Sequence, residues 1–246
     1  MKRKLLIGIC GAACVLLLAN YWPRPLARGE AKVSYELTKA DGSVHKSQRL
    51  LIEQGRSAED SFAKFRSELA GEKGSLVFHT DAGPDAAVEM QGMFANGDFE
   101  GNVRTFTILK ETRTLISEES FHQGRREGRS VSYFPDDGTL LHEGQWKHGV
   151  KDGQWTFNAR RFKPALIVTF RDGMLHGETR IYDQSGRTII KGEYRDGNPH
   201  EGTFVDNPFA VIDPSLRLHG QIPVTRRHFH DGVETQSEAV TLTPAK

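Results

Sequence analysis

The sequence is poor in the features that most often declare a function. It has two cysteines, Cys10 and Cys14, both in an apolar N-terminal stretch. Everything beyond them is cysteine-free, which excludes a disulfide framework there and leaves either redox compartment open. Net charge is also scarce: 33 Lys and Arg against 32 Asp and Glu leave +1. Without a basic footprint, nucleic acid is excluded as the expected partner. There is no Gly-x-Ser-x-Gly elbow, phosphate loop, dinucleotide fingerprint or zinc-protease motif. No catalytic residue, metal ligand or cofactor is therefore assigned, and the expectation is a protein that is not an enzyme.

Long hydrophobic runs are missing too, with one exception. Lys2, Arg3 and Lys4 precede the run "LLIGICGAACVLLLA", and Tyr21 and Trp22 follow it. Leu5 to Trp22 is 18 residues, about 27 Å as a helix, against a bilayer core of about 30 Å. The basic start sets the N-terminus in the cytoplasm and the aromatic pair suits the far interface. Residues 1–22 thus read as a membrane anchor, with contact to the membrane through residues 5–22. Two rivals stand beside it: a signal peptide cleaved near Ala27-Arg28-Gly29, and a lipoprotein using Cys14 after Gly11-Ala12-Ala13. All three put the body of the chain outside the cytoplasm, and the anchor makes it a single-pass inner-membrane protein with a periplasmic or extracellular body.

What the chain does have is glycine, 25 in all, and ten of these recur in one periodic pattern. An aromatic, two residues, a glycine, three residues and a second glycine recur as Phe94–Gly97–Gly101, Phe121–Gly124–Gly128, Trp146–Gly149–Gly153, Phe170–Gly173–Gly177 and Tyr194–Gly197–Gly202. The last copy has one extra residue between its glycines. Successive first glycines are 27, 25, 24 and 24 residues apart. Such a period is the mark of a repeat architecture.

Asn96, Asp172 and Asp196 precede the first glycine in three copies, Gln123 and His148 in the other two. Asn-Gly and Asp-Gly suit two-residue hairpin turns, because both positions need positive φ. Gly97, Gly124, Gly149, Gly173 and Gly197 are thus the expected structural turn glycines. A two-residue turn at His148-Gly149 sets Lys147 opposite Val150, Trp146 opposite Lys151 and Gly144 opposite Gly153. At Asn96-Gly97 it sets Phe94 opposite Phe99 and Gly92 opposite Gly101. Paired glycines would leave a slot for a neighbouring ring or backbone.

Alternation then sorts the faces. In the third copy Trp146, Trp155 and Phe157 share one face, against Glu143, Gln145, Lys147, Asp152, Gln154 and Thr156. In the fourth, Val168, Phe170, Leu175 and Ile181 oppose Arg171, His176, Glu178, Arg180 and Tyr182. The second copy is less clean, since Val131 and Tyr133 fall on the polar side under a two-residue turn; a longer turn would shift that register. The expected fold is mainly β: an elongated antiparallel sheet of hairpin repeats with one wet face.

The strings "FHQGRREGRSVSYFPDDGTL", "GQWKHGVKDGQWTF", "FRDGMLHGETRIYDQSGR" and "GEYRDGNPHEGTF" resemble MORN-type repeats, and most of all the YwqK-like antitoxin-repeat variant. The resemblance covers about half the chain. It implies a curved antiparallel sheet serving as a scaffold or interaction surface, and the antitoxin label implies a toxin partner. The pattern is broken between Phe157 and Val168 and again after Val205.

The rest of the chain is read around the repeats. Pro23, Arg24, Pro25 and Gly29 make 23–31 a linker. Residues 32–86 form a small α+β capping region: strands Val33–Leu37 and Gln48–Gln54 around an Asp41-Gly42 turn, a helix from Ser57 to about Ala70 stopped by Gly71, a short strand Ser75–His79, and a loop Thr80–Ala86. The helix carries Phe62, Phe65 and Leu69 on one face. Repeats fill 87–205. In 206–246 Phe229 and Asp231-Gly232 start a degenerate terminal hairpin that lacks the second glycine.

Candidate chemistry is thin. His228 and His230 alternate on one strand, and His176 and His200 sit in equivalent places before the second glycine, but zinc wants three or four ligands. Solvated turn and strand histidines are the better reading. Glu118-Glu119 and Asp136-Asp137 read as surface acids and a turn. The binding candidates are polar-face residues, Lys147, Arg171, Arg180, Tyr182 and Arg195, whose repetition suits a long partner such as a peptide, glycan strand or lipid surface. The expected function is a non-catalytic binding or scaffold module for a protein or polymer of the envelope. The alternatives are an antitoxin-like protein and an enzyme acting on an envelope polymer.

Overall fold

The computed structural model describes residues 32–51, 67–83, 86–159, 162–183, 185–206, 208 and 222–242. The expected membrane segment, the expected linker, most of the expected Ser57–Ala70 helix with Phe62 and Phe65, and the tail lie outside these residues. Among the described residues no helix is long and apolar enough to cross a membrane. The described residues are mainly β, with fifteen strands in open antiparallel sheet. It divides into two compact units, Met1–Arg126 and Glu127–Lys246.

The first unit holds β1 (Lys32–Thr38), β2 (Val44–Leu51), β3 (Lys73–Gly83), β4 (Ala86–Ala95), β5 (Asp98–Leu109) and β6 (Thr112–His122). Strands neighbour each other in chain order, except that β1 lies between β2 and β3. The expected loop at Thr80–Ala86 is a correction. β3 runs through it to Gly83 and pairs Thr80 with Val88 and Asp81 with Ala87. The strand reaches further than its polar sequence suggests, because β4 supplies ladder partners as far as Gly83↔Ala86, while β1 pairs as far as Thr80. The core gathers Tyr35, Leu37, Leu76, Phe78, Val88, Met90, Phe94, Phe99, Val103 and Phe121, with Leu69 fully buried among them. Just beyond Leu69, Gly71 takes φ +81 and ends that segment as a glycine can.

The second unit holds β7 (Arg125–Tyr133), β8 (Leu140–Lys147), β9 (Val150–Ala159), β10 (Phe162–Arg171), β11 (Met174–Tyr182), β12 (Thr188–Arg195), β13 (Asn198–Val205), β14 (Ile222–His230) and β15 (Val233–Leu242). These follow one another in chain order. Trp155, Phe157, Leu166, Val168, Ile181, Ile190, Val205 and Val224 form its core, with Trp146, Phe170 and Leu175 packed against it. The apolar face expected in the third and fourth copies is the face that is buried.

All five turns have both residues at positive φ, from Asn96-Gly97 (+55, +87) to Asp196-Gly197 (+49, +85). Asp231-Gly232 (+49, +77) makes a sixth between β14 and β15. Lys110-Glu111 (+46, +71) makes the same turn between β5 and β6 with no glycine at all. The second copy keeps its two-residue turn at Gln123-Gly124. Val131 is nonetheless buried, opposite Glu143.

The register beyond the turns is a second correction. Lys147↔Val150, Trp146↔Lys151 and Phe94↔Phe99 pair as expected. Gly144 does not face Gly153, nor Gly92 Gly101. Between Gln145↔Asp152 and Glu143↔Thr156, and between Met93↔Glu100 and Gln91↔Arg104, the second strand uses two more residues than the first. The second glycine causes this: Gly101 and Gly153 take φ +73 and +69, which bulges the strand. Two extra residues preserve side-chain parity, so the faces stay as expected although the register moves. In the fifth copy the shift is one residue, and there Gly192 does pair with Gly202.

The slot survives in another form. A Cβ on Gly144 would lie inside the Trp155 indole, one on Gly192 would lie 2.5 Å from the Phe204 ring, and one on Gly92 would lie 2.9 Å from a Val103 methyl. Each glycine stands two before its repeat aromatic and takes the side chain two after the second glycine. In the second and fourth copies those places hold Glu119 with Ser130 and Val168 with Thr179. In the fourth copy a small hydroxyl residue meets a larger one, Thr179 pairing with Val168. Ser130 and Thr179 are both buried.

Candidate functional site

The polar face of the second unit carries the candidate binding residues. Lys147, Arg171 and Arg195 each directly follow a repeat aromatic and are spaced 24 residues apart. All three are exposed. Arg171 Nη2 donates to Asp196 Oδ1 at 2.6 Å, and Arg195 Nε lies 3.7 Å from Glu193. Lys147 has no ion pair among the described residues. Arg180 donates to both carboxylate oxygens of Glu178, at 2.8 and 2.6 Å, and Lys191 Nζ sits 3.3 Å from the same group.

The electrostatics follow from these contacts. The Arg180 hydrogen bond holds the Glu178 carboxyl below its ordinary value, with Lys191 adding to it. Glu178 in turn raises Arg180, with help from Tyr182. Asp196 is lowered first by the Arg171 hydrogen bond, then by its charge and by His176. Apart from Lys147, the cations named on this face are therefore paired with acids in water, each pair worth little on its own.

Sequence reasoning missed a second row of side chains, along the turn edge. The residue just before each second glycine is Glu100, Glu127, Asp152, His176 or Glu201. It accepts the N–H of the first residue of the next turn. Gln123 donates to Glu100 at 2.8 Å, His148 to Glu127 at 2.6 Å, Asp196 to His176 at 3.3 Å and Asp231 to Glu201 at 3.3 Å. The Asp172–Asp152 contact is the longest, 3.5 Å. Beside it, the turn glycine donates to a strand carbonyl of the preceding hairpin: Gly173 to Lys151, Gly197 to Leu175 and Gly232 to His200, at 2.9, 2.8 and 2.8 Å. The Gln123 amide is the main reason Glu100 lies below its usual value, and the Asp231 amide does the same for Glu201. The signal in the sequence was an acceptor side chain immediately ahead of a glycine, four times an acid.

The histidines are taken up locally. His230 lies 3.1 Å from Glu201 and His122 2.8 Å from Glu100. His176 reaches Asp196 at 3.3 Å and His200 reaches Asp231 at 3.9 Å. His228 contacts the Thr203 hydroxyl at 3.1 Å. Among the described residues no three metal-ligating side chains gather in one place. Glu118 and Glu119 pair with Arg104 and Arg126. Asp137 caps its own loop through the amide and hydroxyl of Thr139.

No protein-family model and no curated protein matches this chain.

Proposed function

We propose that this chain is a membrane-anchored, extracytoplasmic protein of MORN-like hairpin repeats, acting as a non-catalytic binding or scaffold module for an envelope partner. The observation that carries the reading is the recurrence of Lys147, Arg171 and Arg195 at one position of three successive hairpins. Equivalent exposed cations at constant spacing favour an extended partner with repeating acceptors, a peptide or an envelope polymer. Arg180 and Tyr182 lie on the same polar face and extend the surface. The anchoring half of the proposal rests on the apolar run Leu5–Trp22 behind three basic residues.

The test has two arms. Protease added to intact cells, to cells with an opened outer envelope and to lysed cells reads the topology. Digestion that begins when the outer envelope is opened supports the proposal; digestion only after the inner membrane breaks overturns it. A photo-crosslinker at Tyr182 in native membranes is expected to capture one partner, and changing Lys147, Arg171 and Arg195 together to alanine is expected to abolish capture. Capture unchanged by the triple variant would remove this face from the proposal. The repeat resemblance favours one other reading, an antitoxin. Rescue of cells from a toxic protein by co-expression of this chain would support it instead.

A further inference from the structure

We propose that the outer edge of β15 is a self-complementary docking surface for a second copy of this chain, joined strand to strand about a two-fold axis at Ala239. This inference is independent of the proposed envelope partner.

Backbone direction identifies the free groups. Asp206 donates to the Thr225 carbonyl at 3.2 Å, and the Thr225 amide donates back to Asp206 Oδ1 at 3.2 Å. Thr225 thus turns both backbone groups toward β13. Its neighbours Val224 and Arg226 turn theirs the other way, since backbone groups alternate sides along a strand. They meet Val240 and Glu238 of β15. The intervening residues Ser237, Ala239 and Thr241 therefore aim N–H and C=O away from β14. Among the described residues β15 pairs with β14 alone.

Those three side chains are small, uncharged and exposed. The strand Val233–Leu242 contains no Pro, Gly, Lys or Arg, the residues with which edge strands are normally guarded. Its acids are committed inward: Glu238 to Arg226 at 3.1 Å and Glu234 to Arg227 at 3.9 Å.

Self-pairing centred on Ala239 or on Ser237 avoids a like-charge clash, but the Ser237 register sets Ala239 against Thr235, the extra residue where β15 bulges between His228↔Gln236 and Phe229↔Glu234, so Ala239 is the centre of the regular stretch. Centred on Ala239, an antiparallel pair sets Ala239 against Ala239 of the second copy, Ser237 against Thr241 and Thr241 against Ser237. Each such pair exchanges two backbone hydrogen bonds. Glu238 meets Val240, so no acid faces an acid across the seam. Centring on Gln236 would set Glu234 against Glu238, and centring on Glu238 would set that acid against itself. The occupant that suits this edge is thus the edge itself, in the isologous arrangement typical of dimers.

The experiment is light scattering and sedimentation of the full chain in a mild detergent over a range of concentrations. A monomer–dimer equilibrium is expected. Ala239→Pro removes an N–H at the axis and should raise the dimer dissociation constant at least about tenfold. Ser237→Lys with Thr241→Lys should do the same by guarding the edge while leaving the backbone intact, with an unchanged melting curve showing that the fold survives. In a Cys10→Ser, Cys14→Ser background, Ala239→Cys should be joined by mild oxidation, because directly opposed hydrogen-bonded residues lie about 5.5 Å apart. A monomer at every concentration, open-ended oligomers, or a dimer indifferent to both variants would each overturn the proposal.

Discussion

Two neighbouring hairpins solve the same packing problem in opposite ways. β8–β9 sets Gly144 under Trp155, whereas β10–β11 sets Val168 against Thr179. Trp155, Val168 and Thr179 are all at most 2% exposed, so neither solution leaves the site open. Both hairpins keep the two-residue turn, the positive-φ second glycine and a register shift of the same size. The backbone of the repeat is thus constant while the volume inside it is exchanged as a pair. The lesson is that a repeat glycine can serve two unrelated ends: conformation at Gly149 and Gly173, and space at Gly144.

The sharpest way to break that distinction is to fill the space. Gly144→Val is expected to cost about 3 kcal/mol or more, since the branched side chain must displace a buried indole. Adding Trp155→Thr, which copies the pair found in β10–β11, should recover a substantial part in a double-mutant cycle. Thermal melting of the four proteins decides this, and costs that simply add would show the two positions to be uncoupled. The conformational glycine should cost less. Gly173→Val, at φ +82 with Val150 3.2 Å from its Cβ position, is expected to lose about 1–3 kcal/mol. A loss of a few tenths there would argue against the turn.

Smaller still is the tie between hairpins. Glu127→Ala removes the acceptor of the His148 amide and should cost about 0.5–1.5 kcal/mol, with faster hydrogen exchange at His148 as the specific readout. Unchanged exchange would deny the side chain its capping role. Acid should loosen the same row from another direction. Glu100 and Glu201 of that row have folded values below their ordinary values of 4.5. Their contribution is present above those ordinary values and lost as pH falls through the lower, folded ones. Exchange at the Gln123 and Asp231 amides should therefore be pH-independent, after correction for intrinsic rates, from neutrality to about pH 5 and rise below about pH 4. A rise already complete by pH 6 would assign the control to other groups.

The legible parts of the fold were those written in local chemistry. Asn96-Gly97, Asp172-Gly173 and Asp196-Gly197 announced their turns, because those residues tolerate positive φ at low cost. The faces of the third and fourth copies were legible from alternation alone, and remained right because a shift of two residues does not change parity. Lys110-Glu111 was not legible: nothing in that dipeptide favours positive φ, and the long paired strands β5 and β6 impose it. Of the candidate site, the exposure of Lys147, Arg171 and Arg195 could be read from the pattern. Their partners could not, since Asp196 reaches Arg171 across 25 residues of chain.

What the sequence alone determined is the punctuation: where the hairpins turn, which face is greasy, and that the unit recurs. These depend on φ preference and period, properties of a residue and its nearest neighbours. The tertiary structure decided the rest. It converted the second glycine of each repeat from a paired residue into a bulge, seated Trp155 over Gly144, and joined each turn to an acceptor on the hairpin before it. Those outcomes depend on which atoms meet across strands, and only the assembled sheet brings them together.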